Sequence, residues 1–217
     1  MSRVLIVSKT RMREDKVCVG GIDIDKRASL RLLNEIGWHE DDFFCEYEIG
    51  DMWDITYVHN YNRPLPHGNE DVNVLTKSKM GVLLGNNVSM LDVLNIIKFR
   101  YYKGSIENIF SGLTKRTGRG KMYVSDPEVP DHSTCFWVCD KDLTKFVSQY
   151  GEKQRVSYYY PMPAPTYRIL VPYVGLKQPV DCIPKGTLIR FSLAHWWSPD
   201  DWSDTEERCY LQLSGWY

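Results

Sequence analysis

The clearest candidate for chemistry is a basic segment in the middle of the chain. Between residues 98 and 121, seven cations face one anion, Glu107. Single-stranded nucleic acid is held by cations that follow the phosphates and by aromatic rings that stack on the bases. A solvated helix end followed by a linker would have the same composition, so both interpretations stay open. The residues concerned are Lys98, Arg100, Lys103, Lys115, Arg116, Arg119 and Lys121, interleaved with Tyr101, Tyr102 and Phe110.

Two aromatic runs in the second half of the chain offer further stacking or docking surface. They are Trp196-Trp197 and Tyr158-Tyr159-Tyr160. Both lie in segments with the alternation of β-strands, whose successive side chains point to opposite faces. Half of each run must therefore face away from the core unless another element covers it.

Enzyme motifs are incomplete in this sequence. Residues 118–122 (GRGKM) lack the first glycine of a phosphate loop and the Ser or Thr that follows its lysine. The chain has no G-x-S-x-G and no H-E-x-x-H motif. Neither Pro130-Asp131 nor Pro199-Asp200 is followed by the Glu-x-Lys of a metal-dependent nuclease. We therefore expect a protein without catalytic activity.

Metal-ligand spacing is likewise incomplete. His132, Cys135 and Cys139 form H-x2-C-x3-C, but a structural zinc site needs a fourth ligand, usually from a second close pair. The alternative is that both cysteines point into a core from one strand. Asp23 and Asp25 share a strand face, which is weak evidence for catalysis without a third group. We expect neither a metal nor a cofactor.

Composition restricts the class of protein. The 217 residues carry 27 Lys and Arg against 28 Asp and Glu, so any nucleic-acid binding must come from a local patch. The acidic stretches 39–54 and 200–207 are typical of solvated loops. Aromatic residues make up 13% (7 Trp, 14 Tyr, 7 Phe), which favours β-structure over a helical bundle.

Location follows from hydropathy and cysteine usage. No run of 18 apolar residues is present, and the apolar residues 4–7 are too few for a signal sequence. Six cysteines in a chain able to form a core are most simply reduced thiols. The expectation is a cytoplasmic protein with no membrane contact.

Many short strands and one good helix are predicted. Ser89 with Asp92 resembles a capping box and predicts a helix that begins there. Residues 29–33 fit neither the helical nor the strand period. Short strands at this spacing suggest small barrels or a sandwich. The predicted strands are 3–9, 16–25, 52–58, 72–76, 134–140, 155–160, 167–172, 186–197 and 208–217.

Four stretches carry a family resemblance. Residues 184–197 (PKGTLIRFSLAHWW) and 208–217 (RCYLQLSGWY) are the specific ones, supported by 17–22 (VCVGGI) and 50–55 (GDMWDI). Together they resemble the bacterial dual OB-containing domain family across almost the whole chain. The resemblance implies two OB-like barrels and a nucleic-acid-binding role inferred from the fold, and it supplies no catalytic residues.

These observations lead to a mainly β protein with two small OB-like β-barrels and one or two helices between them. We predict an N-terminal OB-like domain with a trailing helix at 1–110, a basic loop or linker at 111–131, and a C-terminal OB-like domain at 132–217. The predicted ligand is single-stranded or distorted DNA or RNA. The alternative is a protein-interaction or regulatory subunit that docks a partner, or itself, through an aromatic surface. The predicted phosphate contacts are Lys115, Arg116, Arg119 and Lys121, and the predicted stacking residues are Tyr101, Tyr102 and Trp196.

Overall fold

The computed structural model describes residues 1–85, 88–151, 153–163, 168–198 and 206–217. Strands hold 51% of the chain and helices 8%, arranged as a closed five-stranded barrel and a half-barrel. The predicted mainly β fold is therefore confirmed. The chain divides into two compact units, Met1–Arg100 with Tyr217, and Tyr101–Trp216. The division falls ten residues before the predicted end of the first domain.

The first unit is a closed barrel with Greek-key order. Around the barrel β1 pairs with β2, β2 with β3, β3 in parallel with β6, β6 with β5, and β5 with β1. Five strands closed in this way form the barrel of an OB fold. The strands are β1 (Ser2–Arg11), β2 (Lys16–Asp23), β3 (Ala28–Leu33), the short β4 (Glu40–Asp41) on β2, β5 (Asp51–His59) and β6 (Asp71–Val82).

A glycine allows the first two strands of this barrel to approach. The β1–β2 register shifts between Ile6 and Ser8, opposite Gly20 and Gly21, so the bulge lies on β1. A Cβ at Gly21 would lie 2.6 Å from the Val4 Cγ1 atom, inside the core. A side chain at position 21 would therefore push the two strands apart, which is the physical reason for glycine there.

The predicted helix ends the first unit. It is α1 (Met90–Ile96), and Ser89 is its N-cap. The Ser89 hydroxyl accepts from the Asp92 backbone N–H, while Asp92 accepts from the Ser89 backbone N–H, which completes the capping box. Because the two hydrogen bonds join residues only three positions apart, the capping box could be recognised from sequence alone.

The second unit has strands in a related order, but its described residues do not form a closed barrel. One sheet has the order β7-β10-β15-β16-β9-β8, and a second has β13-β12-β11-β14. No ladder joins β10 to β11 among the described residues, and only an isolated parallel bridge, Tyr173 to Leu213, links the end of β13 to β16. The strands are β7 (Tyr102–Gly104), β8 (Lys115–Arg116), β9 (Met122–Val124), β10 (Thr134–Cys139), β11 (Leu143–Tyr150), β12 (Lys153–Tyr160), β13 (Ile169–Pro172), β14 (Cys182–Ile183), β15 (Leu188–Leu193) and β16 (Cys209–Trp216), with 3₁₀ turns at Ile106–Gly112.

One aromatic core fills the half-barrel. Trp137 is fully buried between Phe191 (5.6 Å between ring centroids) and Tyr160 (6.0 Å), and its indole N–H donates to the Gly104 carbonyl at 2.8 Å. Cys135 and Cys139 point into the same core from β10. The core alternative for these two cysteines is thus the correct one, and the His132 ring lies apart against Phe110 and Asp131.

Residues 111–131, predicted as a basic loop or linker, lie within the second unit and contain two of its strands. β8 and β9 form a hairpin, and β9 pairs with β16 through Val124 to Cys209 and Tyr123 to Tyr210. Gly120 lets the hairpin backbone lie close to the backbone of Arg168, because a Cβ at this position would lie 1.8 Å from the Arg168 carbonyl oxygen. Residues 29–33, ambiguous in sequence, form the central strand β3.

Candidate nucleic-acid interface

The hairpin and β16 form a small sheet with two different faces. Met122 and Val124 of β9, and Cys209 and Leu211 of β16, point into the core. Strand alternation therefore places the intervening residues on the opposite face. The register then sets Lys115, Tyr123 and Tyr210 side by side across β8, β9 and β16.

Three aromatic rings and two cations share this face, which we call the tyrosine face (Lys121, Tyr123, Trp197, Arg208 and Tyr210). The Tyr210 ring centroid lies 5.9 Å from that of Tyr123 and 6.1 Å from that of Trp197. The Arg208 guanidinium lies 4.3 Å from the Tyr123 centroid, and the Lys121 ammonium 5.9 Å from that of Tyr210. Trp197 reaches the group through its bridge to Arg208, and 52% of its surface is exposed.

Two carboxylates pair with cations at or beside the tyrosine face. Glu206 accepts from Arg208 and from the Tyr123 hydroxyl, both at 3.2 Å, and Lys115 lies 3.5 Å from Glu128. Hydrogen bonds, first from Ser125 and then from Tyr123, lower the pKa of Glu206. Burial raises the pKa of Tyr123, so both tyrosine and carboxylate keep their ordinary charge at neutral pH. An incoming phosphate would compete with Glu206 for Arg208.

Comparison with protein families decides what this fold is. The model of the dual OB-containing domain matches residues 2–216. The chain belongs to the dual OB-containing domain family. A comparison with curated proteins gives no match. A solved structure of a murine DNA-binding protein bound with double-stranded DNA is similar over 99% of this chain and 95% of its own, at 11% identity and a TM-score of 0.31. Similarity that low does not relate the two folds.

Within this dual OB-containing domain, the four predicted cations lie on the β8–β9 hairpin. Lys115 donates to the Ser125 hydroxyl at 3.1 Å, and Arg116 lies 3.3 Å from Glu107. Arg119 is exposed in the hairpin turn, and Lys121 is exposed beside Tyr210. Neither Arg119 nor Lys121 has an ion pair with the residues that the structure describes. The structure therefore brings the predicted cations together.

The predicted stacking residues lie elsewhere. Tyr102 is on β7, the strand at the opposite end of the sheet from β8, and its ring packs against the core while its hydroxyl accepts from the Ser111 N–H at 3.2 Å. Tyr101 lies under the Lys103 ammonium, 5.3 Å from its ring centroid. Trp196 packs partly buried against the core, so its neighbour Trp197 is the more exposed tryptophan.

Sequence reasoning missed Tyr123, Tyr210 and Arg208. A usable signal was present in the tail, where Tyr210 and Gln212 alternate with Cys209, Leu211 and Leu213. A tyrosine on the polar face of a strand is a candidate contact residue. No comparable signal marks Tyr123, because the strand β9 has only three residues.

A second aromatic group lies on the outer side of β11 and β12. The Phe146 and Tyr159 rings lie 4.9 Å apart, and the Arg168 guanidinium is 5.4 Å from the Tyr159 centroid. These strands are the second and third of the half-barrel in chain order, counted from β10. In OB folds the face of strands two and three takes part in oligonucleotide binding.

Potential metal ligands and apolar helices are the remaining features of the described residues. No group of three or more His, Cys, Asp or Glu side chains comes together there in a form that could hold a metal. Asp23 and Asp25 have separate partners, Tyr57 and Arg3 respectively. No helix among the described residues is long and apolar enough to cross a membrane.

Proposed function

We propose that this dual OB-containing domain is a non-catalytic nucleic-acid-binding module that prefers single-stranded or distorted DNA or RNA. The tyrosine face is the observation that supports this most. Its rings stand on the outer face of a sheet whose other face is core. The accessible rings are Trp197, which is 52% exposed, and the half-buried Tyr210 with Lys121 against it, while Tyr123 is only 7% exposed beneath the Arg208 guanidinium. The exposed hairpin cations beside it would contact phosphates.

The preference for unpaired strands follows from the rings. Bases stack on aromatic faces only when they are free of a partner base, and each such contact stabilises by about 1–3 kcal/mol. Phosphate contacts act on any nucleic acid and weaken with salt, by roughly 0.7 in slope for each contact to a single strand. Stacking thus selects the strand, and the cations supply salt-dependent affinity.

The test is fluorescence anisotropy of labelled single-stranded DNA, single-stranded RNA and duplex across a salt series. We expect salt-sensitive, saturable binding that is tightest for a single strand. Replacing Lys115, Arg116, Arg119 and Lys121 by Gln is expected to flatten the salt slope by up to about 3, at roughly 0.7 per contact. An unchanged slope would remove the hairpin from the interface.

A smaller pair of variants provides the control. Arg119→Gln with Lys121→Gln removes two exposed hairpin cations without breaking an ion pair among the described residues. Lys103→Gln with Lys185→Gln removes the same charge elsewhere in the second unit, because β7 lies at the opposite end of the sheet from β8 and the start of β15 pairs with the end of β16 at Trp216. Only the first pair is expected to weaken binding. Equal losses would show a general charge effect rather than a site.

The alternative, a protein-interaction subunit, is favoured by one loop of the first unit. Phe43 and Phe44 are 91% and 69% exposed, and their neighbours Asp41 and Asp42 are acidic. Contiguous exposed apolar groups mark interaction surfaces, and this charge suits a basic protein partner better than a phosphate backbone. The test compares the parent protein with the double variant Phe43→Ser and Phe44→Ser. Loss of salt-sensitive binding to a basic protein partner in the variant, with nucleic-acid affinity unchanged, would support this role.

A further inference from the structure

A ladder of three aromatic rings extends beyond the closed barrel of the first unit. Tyr57, His59 and Tyr61 occupy alternate positions at the end of β5 and in the residues that follow it. The His59 centroid lies 5.6 Å from that of Tyr57, nearly perpendicular, and 5.3 Å from that of Tyr61, with 19° between the two planes. His59 is exposed and Tyr61 is 74% exposed, so the stacked pair presents its rings to solvent.

The ladder is held firmly at its base. The Tyr57 hydroxyl donates to the buried Asp23 carboxylate at 2.9 Å and accepts from the Lys26 ammonium at 2.8 Å. Lys26 also lies over the Tyr57 ring, 4.5 Å from the centroid. The hydrogen bond to Tyr57 raises the pKa of Lys26, which therefore stays charged at neutral pH.

The residue between the two exposed rings is fixed as well. The Asn60 backbone N–H donates to the Asp71 carbonyl at 2.9 Å, and its side-chain amide donates to Asn73 at 3.0 Å. The backbone that carries His59 and Tyr61 is therefore already ordered before a ligand binds. Rigid aromatic platforms of this kind lose little conformational entropy on binding.

Charge around the ladder is complementary to phosphate. Residues 55–69 contain Arg63 and no acidic residue, and residues 26–34 contain Lys26, Arg27 and Arg31 and no acidic residue. Arg31 and Arg63 are engaged with the buried Asp71, at 2.7 and 3.3 Å. Lys26, which lies 3.6 Å from the buried Asp23 carboxylate but keeps an exposed ammonium, and the exposed Arg27 stand on the turn beside Tyr57 as the cations that a phosphate could reach.

The exposed phenylalanines of the same unit show the contrast. Phe43 and Phe44 lie within residues 39–54, which carry seven acidic residues and no Lys or Arg. The carboxylates around these two rings would repel a phosphate backbone. The ladder, by contrast, combines exposed stacked rings with exposed cations, and the two nearest carboxylates, Asp23 and Asp25, are paired with Lys26 and Arg3.

We propose that the ladder of Tyr57, His59 and Tyr61 is a second binding site for single-stranded nucleic acid, separate from the tyrosine face. His59 and Tyr61 stack on one or two unpaired bases, and Lys26 and Arg27 contact the adjoining phosphates. This inference rests on the proposed function, since it gives each unit of the dual OB-containing domain its own stacking site.

Photocrosslinking tests the ladder directly. A single-stranded oligonucleotide of about 16 nucleotides, the upper site size for one OB barrel, would carry 5-bromouracil at successive positions. After irradiation, digestion and mass spectrometry, we expect adducts on the peptide that contains His59 and Tyr61, in addition to any on the tyrosine face. Adducts confined to the second unit would overturn the inference while leaving the proposed function intact.

Affinity provides the second readout. His59→Ala with Tyr61→Ala is expected to weaken binding of that oligonucleotide at least about 5-fold. Phe43→Ala with Phe44→Ala is the matched control, because it removes two exposed rings from the same unit and should leave affinity unchanged. Circular dichroism would verify that both variants are folded.

The outcomes separate the two proposals. If the ladder variant binds as tightly as the parent while Arg119→Gln with Lys121→Gln binds weakly, the ladder is wrong and the tyrosine face stands. If the ladder variant alone loses affinity, the ladder stands and the tyrosine face is wrong. If the parent protein binds no oligonucleotide and forms no adduct, both proposals fail together.

Discussion

The two barrels share a strand order but are filled by different side chains. Among the described residues, the first unit buries six Asp, Glu, His or Arg side chains, and the second unit buries one, Arg190. Eight aromatic side chains are buried in the second unit, against Tyr47 and Trp53 in the first. The six are Asp23, Arg31, Asp51, His67, Glu70 and Asp71, and the eight are Phe110, Tyr123, Phe136, Trp137, Tyr158, Tyr160, Phe191 and Trp216.

Closure explains part of this difference. In the first unit β6 pairs with both β5 and β3, so small and branched side chains suffice to fill a closed barrel. In the second unit no full ladder joins the two sheets among the described residues, and large rings fill the core between them. The first residues of β16 are then free to pair with β9, and that pairing creates the tyrosine face.

The largest expected effect concerns the aromatic core of the half-barrel. Trp137→Ala should lower the free energy of unfolding by about 3–5 kcal/mol, because it leaves a large cavity and removes the hydrogen bond to Gly104. Urea unfolding followed by circular dichroism measures it. Trp197→Ala is the control, with an expected change within about 0.5 kcal/mol at an exposed position. Similar values for the two variants would contradict the packing described for the second unit.

The next effect should be specific to the first unit and should depend on pH. Burial, with smaller contributions from the charges of Arg31, Arg63 and Lys16, lowers the pKa of His39 to about 4. The unfolded chain takes up this proton near pH 6.5, so between about pH 4 and 6.5 it binds more protons than the folded protein. Stability should therefore fall as pH decreases through that window, by as much as about 3 kcal/mol from this group.

His39→Leu isolates that contribution. Neither ring nitrogen of His39 has a hydrogen-bond partner among the described residues, so the substitution should cost little at pH 7. Urea unfolding at pH 7 and pH 5 should show a smaller difference for the variant than for the parent. A pH dependence equal to that of the parent would mean that other groups cause it.

A smaller effect is expected at the seam that closes the first barrel. Gly21→Ala places a methyl group against Val4 between β1 and β2 and should destabilise by about 1–3 kcal/mol. Gly118→Ala is the control, because a Cβ there meets nothing within 4 Å. Thermal unfolding measures both. A neutral Gly21→Ala would show that the β1–β2 seam can widen without cost.

Local signals account for what could be predicted. The Ser89–Asp92 capping box lies within four residues. The alternation of Ile189, Phe191 and Leu193 predicts β15, and these three side chains all lie in the core. β11 was not predicted, because Thr144, Lys145, Ser148 and Gln149 interrupt its apolar pattern. Its place depends on pairing with β12 and β14 instead.

The sequence by itself determined the mainly β class, the helix start at Ser89 and the family, because each depends on neighbouring residues or on motifs within short segments. It also located the four cations of the β8–β9 hairpin. Only the tertiary structure decided that residues 111–131 join the second unit and that Tyr123 meets Tyr210. That pairing connects residues far apart in the chain, and a three-residue strand such as β9 is too short for a periodic signal.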